Sequence, residues 1–245
     1  MEQPFWISQI IKLIVFFLVS YSGGWLVKHH GIKVGYTRKI NHFALFFLPL
    51  LVDDLFPYEK SLYSIGIGLL LLITSMSLYC SSLRKRSGIL STSFLSFDRP
   101  EDRPYTLTWC TTQIMASSLV IIGLLFGFSA IGRLDLIYIP VLISGIGDGL
   151  AEPIGVRFGR HTYVTKAVFG GRSYHRSFEG SACVFLTSVI VVAFFKSSLG
   201  QIQFWPALIC LPLLMTLTEA KAPHTWDQPF IYLASGAFLL VTHMV

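Results

Sequence analysis

The sequence predicts an all-α fold, a polytopic membrane helical bundle with about eight (six to eight) transmembrane helices. Three observations predict it: the composition, a series of charge-free intervals, and the distribution of basic residues between them. Of the 245 residues, 53% are hydrophobic and 13% are charged, which is about half the charged fraction of a soluble domain. The mean hydropathy of +0.64 agrees. We therefore exclude a soluble globular domain, a disordered chain and a disulfide scaffold, and expect one membrane-embedded domain over residues 1–245.

Charge-free intervals mark the expected spans, because a helix needs about 20 apolar residues to cross the hydrocarbon core. They are 13–27, 40–52, 61–83, 104–132, 136–147, 180–195, 197–218 and 228–245. The second and the fifth are short, and charged residues adjoin them: Arg38 and Lys39 before one, Asp148 and Glu152 after the other. Charges this close to the hydrocarbon usually mark a polar cavity. Lys12, near the end of the first span, is expected to reach the interface with its long side chain.

Basic residues alternate between the loops. Fifteen of the 19 Lys and Arg residues fall in loops 28–39, 84–103, 157–176 and 219–229, and the loops between hold three. This split predicts that the basic loops are cytosolic. The net charge of +6 then reflects topology, and no nucleic-acid partner is expected. Because no Arg- and Ser-rich transit segment opens the chain, a bacterial inner membrane or the endoplasmic reticulum is favoured over a plastid.

The segment that follows the fifth interval combines glycines, a carboxylate and an arginine. Gly147, Asp148 and Gly149 end the apolar run, and Gly159 and Arg160 close the segment. Glycine lets the backbone approach a ligand closely, and successive N–H groups can form a phosphate nest. An Asp at the end of a span is suited to holding Mg²⁺ through oxygen. The alternative is a glycine-packed helix end with a solvated Asp.

A second polar stretch, Arg176 to Ser181, lies directly before the sixth span. The planar guanidinium of Arg176 suits phosphate oxygens. Glu179 stands at a helix start, where a carboxylate can also serve only as a cap near the positive end of the dipole. The last basic loop adds Glu219 and Asp227, two carboxylates near the membrane surface.

The basic motif Arg38-Lys39, with His42 one turn later, opens the second span. Two cations at a helix N-terminus form a natural anion site, although juxtamembrane charges that only set topology give the same pattern. Together the motifs combine phosphate-binding cations, carboxylates and a Gly-rich backbone, a set that suits phosphoryl transfer. The chain contains no P-loop, no soluble-kinase motif set and no HExxH or GxSxG motif. Its four cysteines form no CxxC pair, so neither a zinc site nor a disulfide framework is expected.

These motifs, in this order, resemble those of the polyprenol kinase family, which includes dolichol, phytol and farnesol kinases and CTP-dependent diacylglycerol kinases. That family is distantly related to phosphatidate cytidylyltransferases. The resemblance covers residues 37–42, 147–159, 176–181 and 219–228, within about 35–230 of the chain. The chain departs from the family pattern in three ways. Arg176 stands where Lys is common, the stretch from Gly159 to Arg176 is long, and Asp227-Gln228 replaces Asp-Asn.

The resemblance implies a multi-pass membrane enzyme that phosphorylates a lipid alcohol, with CTP (sometimes another nucleoside triphosphate) as donor and Mg²⁺ or another divalent cation as cofactor. It makes Asp148 and Glu179 the expected catalytic and metal-binding residues, with Asp227 as a further candidate ligand. The residues expected to contact the nucleotide or its phosphates are Arg38, Lys39, His42, Gly147, Gly149, Gly159, Arg160, Arg176 and Ser181. Polyprenol, phytol, farnesol and diacylglycerol all stay open as acceptors.

Two other functions compete with this one. A phosphatidate cytidylyltransferase would use the same nucleotide to make a CDP-lipid, but its Lys-Asp pair followed by a His-Gly-Gly and Asp-Arg cluster is not found in this sequence. A small transporter or scaffold should carry charges near the middle of several spans, whereas here they cluster at span ends.

Overall fold

Helices make up most of the regular structure in the computed structural model, which describes residues 3–167 and 171–244. The chain divides into two compact units, Met1–Ile114 and Met115–Val245. The all-α prediction is confirmed, with one unpredicted addition, a two-stranded hairpin in the second unit.

The first unit contains the helices α1 (Gln3–His30), α2 (Val34–Leu55), α3 (Leu62–Ser77), α4 (Ser81–Arg86), α5 (Gly88–Leu95) and the beginning of α6 (Thr106–Ala130). Helix α1 packs against both α2 and α5. A methyl group on Gly24 of α1 would overlap the carbonyl oxygen of Thr92 in α5, so the two backbones touch at this point. Ser61 caps α3 by accepting a hydrogen bond from the backbone N–H of Ser64.

A buried polar network joins α1, α2 and the end of α5. The Asn41 side chain donates to Ser96 Oγ at 2.7 Å and accepts from Ser20 Oγ at 3.0 Å. Thr37 Oγ1 donates to the carbonyl oxygen of Ser96 at 2.6 Å. These bonds satisfy buried polar groups and hold the first two turns of α2 against α1 and the end of α5.

Lys12 of α1 forms an ion pair with Asp53 near the other end of α2, with 2.8 Å between Nζ and Oδ1. Ser8 Oγ and Tyr58 OH also donate to this carboxylate, at 2.6 and 3.1 Å. A carboxylate near the end of α2 thus binds the ammonium group of Lys12, and the extension of this side chain to the membrane interface stays a prediction.

The second unit continues from α6 into one unbroken helical stretch, Leu134–Phe158. That stretch comprises a 3-10 turn (Leu134–Ile137), α7 (Tyr138–Leu142), a π-helical segment (Ile143–Asp148) and α8 (Gly149–Phe158). Strands β1 (Thr162–Lys166) and β2 (Ser173–Ser177) form the antiparallel hairpin. Helices α9 (Phe178–Phe194), α10 (Lys196–Lys221) and α11 (Asp227–Met244) follow. Helix α10 is kinked at Gly200, whose φ of +74° favours glycine.

Close packing of α9 against α8 and the π-helical segment forms the centre of the second unit. A Cβ atom on Gly180 would lie 2.7 Å from the carbonyl oxygen of Ala151, and one on Gly147 would lie 3.2 Å from the Cα atom of Val184. Helices approach this closely only where side chains are small.

Four described helical stretches are long and apolar enough to cross a membrane: Gln3–His30, Thr106–Ala130, Leu134–Phe158 and Lys196–Lys221. Leu62–Ser77 and Phe178–Phe194 are shorter apolar helices. Every predicted charge-free interval overlaps a described helix. The count of eight spans, the single domain and the cytosolic orientation of the basic loops stay predictions.

Candidate functional site

The hairpin carries polar side chains into the second unit because its residues alternate between two faces. Tyr163 pairs with Arg176, and Thr165 pairs with Tyr174, so these four side chains share one face. They are buried or half-buried, and we call them the inner face of the hairpin. Its far end is attached to the loop before α11, where the His224 N–H donates to the Lys166 carbonyl oxygen at 2.9 Å.

Arg176 reaches from this inner face to two carboxylates at the end of α10 and the start of α11. Its guanidinium lies 2.9 Å from Glu219 Oε1 and 3.2 Å from Asp227 Oδ2, and it also donates to the Glu219 carbonyl oxygen. Burial alone would lower the pKa of Arg176, but the charges of Asp227 and Glu219 outweigh it and raise the pKa. Arg176 is therefore a permanent cation within an acidic cluster.

A hydrogen-bonded chain extends this cluster to the hairpin. Tyr163 OH and Ser181 Oγ lie 2.6 Å apart, and Ser181 donates to Glu219 Oε2 at 2.9 Å. Burial, together with the nearby negative charge of Glu219, raises the pKa of Tyr163. Ser181, predicted to contact the nucleotide, thus contacts the side chains of Tyr163 and Glu219 in this structure.

Asp148 lies at the last position of the π-helical segment and is 7% exposed. Its charge acts on Arg176, which places it near the acidic cluster. An inserted π-helical turn changes the direction in which the following side chains point, and such turns are frequent at functional sites. The structure therefore brings Asp148 near Arg176, Ser181, Glu219 and Asp227. We call these five residues the acidic cluster.

The carboxylate of Glu179 is hydrogen-bonded to the backbone just before β1. Its Oε1 accepts hydrogen bonds from the backbone N–H groups of Arg160 and His161, at 3.0 and 3.3 Å, and lies 3.0 Å from His161 Nδ1. The backbone N–H of Arg160 is the main cause that lowers the pKa of Glu179 to about 2. The second oxygen, Oε2, is buried and accepts no hydrogen bond from the described residues.

The predicted nest glycines lie at or near helix contacts. Gly147 is buried in the π-helical segment, and Gly149 begins α8. Gly159 follows α8, and its N–H donates to the carbonyl oxygen of Gly155 at 3.0 Å. A Cβ atom on Gly159 would lie 2.8 Å from the Cβ atom of Ser177. Packing accounts for Gly147 and Gly159, and contact with phosphate stays a prediction for all three.

The basic motif lies in the first unit, in the first turns of α2. Lys39 is buried at 5% exposure. Arg38 precedes it in the same turn of α2. The ring of His42 lies 4.7 Å from the ring of Phe46. A role of Arg38, Lys39 and His42 in nucleotide binding stays a prediction.

Glu219, which the sequence marked only as a carboxylate near the membrane surface, and Tyr163 were not among the predicted site residues. Glu219 is 4% exposed and follows an otherwise apolar stretch of α10. A carboxylate in such a helix is costly unless it has a partner, which is the signal that could have identified it. Tyr163 carried no such signal, because its position follows from the unpredicted hairpin.

No group of three or more His, Cys, Asp or Glu side chains arranged to hold a metal ion occurs within residues 3–167 and 171–244. The carboxylates of Glu219 and Asp227 are instead bound to Arg176. A metal in this unit would therefore need further ligands from a bound substrate.

A stretch of 77 residues is 40% identical to a phytol kinase from Synechocystis sp.. The resemblance to the polyprenol kinase family is thereby confirmed. The matched stretch is 31% of this chain, and the chain spans about 30% of the length of that relative. No family model matches the chain, and no solved structure matches it.

Proposed function

We propose that the chain is a CTP-dependent kinase that transfers a phosphoryl group to the hydroxyl of a membrane lipid alcohol. The 40% identity to a phytol kinase over 77 residues supports a lipid-alcohol kinase, and CTP as the donor rests on the resemblance of the motifs to the polyprenol kinase family. The acidic cluster supports it, since a buried Asp beside a fixed cation is suited to orienting a hydroxyl and neutralising a phosphoryl group. Among the acceptors, phytol comes first because the named relative is a phytol kinase; farnesol, longer polyprenols and diacylglycerol remain in the panel to be tested.

The reaction requires positioning more than a strong base, because phosphoryl transfer passes through a loose transition state. The hydroxyl oxygen of the lipid attacks the γ-phosphorus, and the bond from that phosphorus to the bridging oxygen breaks. The nucleoside diphosphate leaves, and the hydroxyl proton passes to a carboxylate. We assign Asp148 or Glu179 to this last role, with Asp148 favoured because it lies in the acidic cluster.

Mg²⁺ fits these residues only as an ion that is also held by the nucleotide. In proteins it is typically bound by one or two carboxylates together with substrate phosphates. Asp148 is a buried carboxylate, and Glu179 Oε2 is a buried oxygen without a hydrogen bond from the described residues. We propose these two as its ligands, with Asp227 as a further candidate. When bound, the ion would neutralise charge on the transferred group.

Cations and backbone N–H groups are proposed to bind the triphosphate. Arg160 is exposed and adjoins the Glu179 carboxylate through its backbone, so its guanidinium is accessible to a ligand. We propose that Arg38, Lys39 and His42 also bind the phosphates of the nucleotide, and substitutions test this proposal. Arg38→Gln and Lys39→Gln should each raise the KM for CTP with a smaller effect on kcat.

The deciding experiment uses the full chain in lipid nanodiscs with each nucleoside triphosphate, labelled at the γ-phosphate, and each lipid alcohol in turn. A labelled lipid monophosphate formed preferentially from CTP is the expected product. The same nanodiscs receive phosphatidate and CTP labelled in the base. A CDP-lipid in that arm would replace the kinase with a cytidylyltransferase.

Asp148→Asn should lower kcat by at least about 100-fold, as expected for loss of a group that handles the proton or the metal. The matched control is Asp135→Asn in the same unit, which alters a carboxylate paired with Arg133 and exposed at 44%. Full activity in Asp148→Asn would show that this residue has no part in the mechanism. The absence of labelled lipid with every acceptor and every nucleotide would reject the kinase proposal.

A further inference from the structure

The hairpin has a second face, which the proposed function does not use. Thr162, Val164 and Lys166 alternate with the inner-face residues of β1, and Ser173 and His175 do so in β2. Val164 pairs with His175 and Lys166 pairs with Ser173, so these side chains share one side. All five are exposed, and we call them the outer face.

Large apolar side chains on the outer face and at the two ends of the hairpin are exposed. Val164 is 58% exposed, Phe158 at the end of α8 is 59% exposed, and Phe178 at the start of α9 is 62% exposed. The two phenylalanines are the residues at which the candidate span Leu134–Phe158 ends and the apolar helix Phe178–Phe194 begins. The hairpin is therefore tethered at both ends to apolar helices, which would hold it near the surface of a membrane that these helices enter.

The same segment is strongly basic. Residues 156–178 include five Lys or Arg residues and no Asp or Glu. Arg157 and Lys166 are exposed, and neither belongs to the acidic cluster. A surface that combines exposed apolar side chains with cations, and lacks acidic ones, complements the headgroup region of an anionic lipid membrane.

We propose that the outer face of the hairpin docks onto anionic lipid headgroups, with Val164 inserted at the acyl boundary and Arg157 and Lys166 on the phosphates. Because the inner face carries Tyr163 and Arg176, docking would hold the acidic cluster at a fixed depth relative to the membrane surface. This inference rests on the hairpin alone and stands whether or not the chain is a kinase.

The test places a fluorescent amino acid at position 164 of the full chain in nanodiscs of phosphatidylcholine, with or without phosphatidylglycerol. Quenching by brominated lipid reports contact with the membrane, and quenching by iodide reports contact with water. We expect strong lipid quenching in the anionic nanodiscs, less in the neutral ones, and a decrease when salt is added. Each neutralised cation should lower the ratio of docked to undocked hairpin about fivefold.

Arg157→Gln with Lys166→Gln is the test variant, and Lys28→Gln with Lys33→Gln removes two cations from the first unit as a matched control. Only the test variant should reduce lipid quenching, and only in the anionic nanodiscs. Equal quenching in both lipid compositions, or no response to the test variant, would overturn the proposal. Efficient iodide quenching in every nanodisc would also overturn it, since the outer face would then be open to a soluble partner.

Discussion

Arg176 of β2 and Glu219 of α10 lie 43 residues apart in the sequence and form a buried ion pair, with 2.9 Å between Nη1 and Oε1. Their side chains are 11% and 6% exposed. Asp227 of α11 contacts the same guanidinium at 3.2 Å. One cation therefore joins the hairpin to the two final helices, and removing it would leave two carboxylates close together in a buried place.

Arg176→Gln should destabilise the protein by about 3–5 kcal/mol, the usual cost of removing one partner from a buried ion pair. Arg176→Lys should recover part of this loss, because it keeps the charge but not the fork of donors. Thermal unfolding in detergent measures both. Asp135→Asn is the control: it alters a more exposed pair and should cost at most about 1 kcal/mol. Equal stability of Arg176→Gln and the wild type would show that the pair does not hold the hairpin.

Gly180 is expected to be required for packing rather than for flexibility. A Cβ atom on it would lie 2.7 Å from the carbonyl oxygen of Ala151, so Gly180→Ala must separate α8 from α9. We expect a loss of about 1–3 kcal/mol, which is typical of overpacking. At Gly123 of α6 a Cβ atom would meet nothing within 4 Å, and Gly123→Ala should be neutral or stabilising by up to about 1 kcal/mol through helix propensity. Unfolding of both variants under the same conditions makes the comparison. A stable Gly180→Ala would contradict the packing explanation.

The positions of the helices were predictable because lipid excludes charge from a spanning segment, so charge-free intervals mark the helices almost directly. The hairpin was not predictable in this way. Its ten paired residues contain only a short alternation of polar and apolar side chains, and it is hydrogen-bonded to His224 and Glu219, which lie far along the chain. Long-range contacts of this kind leave no local pattern.

The acidic cluster was predictable to the extent that motif residues sit next to apolar runs. The sequence singled out Asp148 and Arg176 for that reason, and their roles in catalysis and phosphate binding stay predictions. Their orientation was not predictable: the guanidinium of Arg176 faces carboxylates, and Glu179 Oε1 accepts hydrogen bonds from the backbone before β1. Both orientations depend on the hairpin, because its position determines which side chains of each motif face the helices.

In the first unit, Lys12→Met should destabilise the protein more than the double variant Lys12→Met with Asp53→Asn does. The single change leaves the Asp53 carboxylate, whose side chain is 9% exposed, without its cation, whereas the double change removes both charges. We expect a loss of about 3–5 kcal/mol for the single variant and a smaller one for the double. Thermal unfolding in detergent tests this prediction, and a double variant as unstable as Lys12→Met would show that the ion pair is not what matters.

Glu179 should make the stability of the protein depend on pH in the acidic range. Its pKa is lowered from 4.5 to about 2 in the folded chain, mainly by the backbone N–H of Arg160. A carboxyl whose pKa is depressed by folding stabilises the folded state fully above its unfolded pKa. That contribution is lost as the pH falls through the folded pKa. The loss should therefore occur between pH 4.5 and about 2.

Glu179→Gln removes this titration, so the melting temperature of the wild type should fall more steeply than that of the variant as the pH is lowered through this range. Above it the difference between the two should be constant, because the carboxylate is then fully ionised in both the folded and the unfolded chain. Glu59→Gln, which removes an exposed loop carboxyl of the first unit, is the control for the loss of one carboxyl group as such. Parallel profiles for Glu179→Gln and the wild type would mean that the hydrogen bonds from Arg160 and His161 do not distinguish the ionised from the protonated carboxyl.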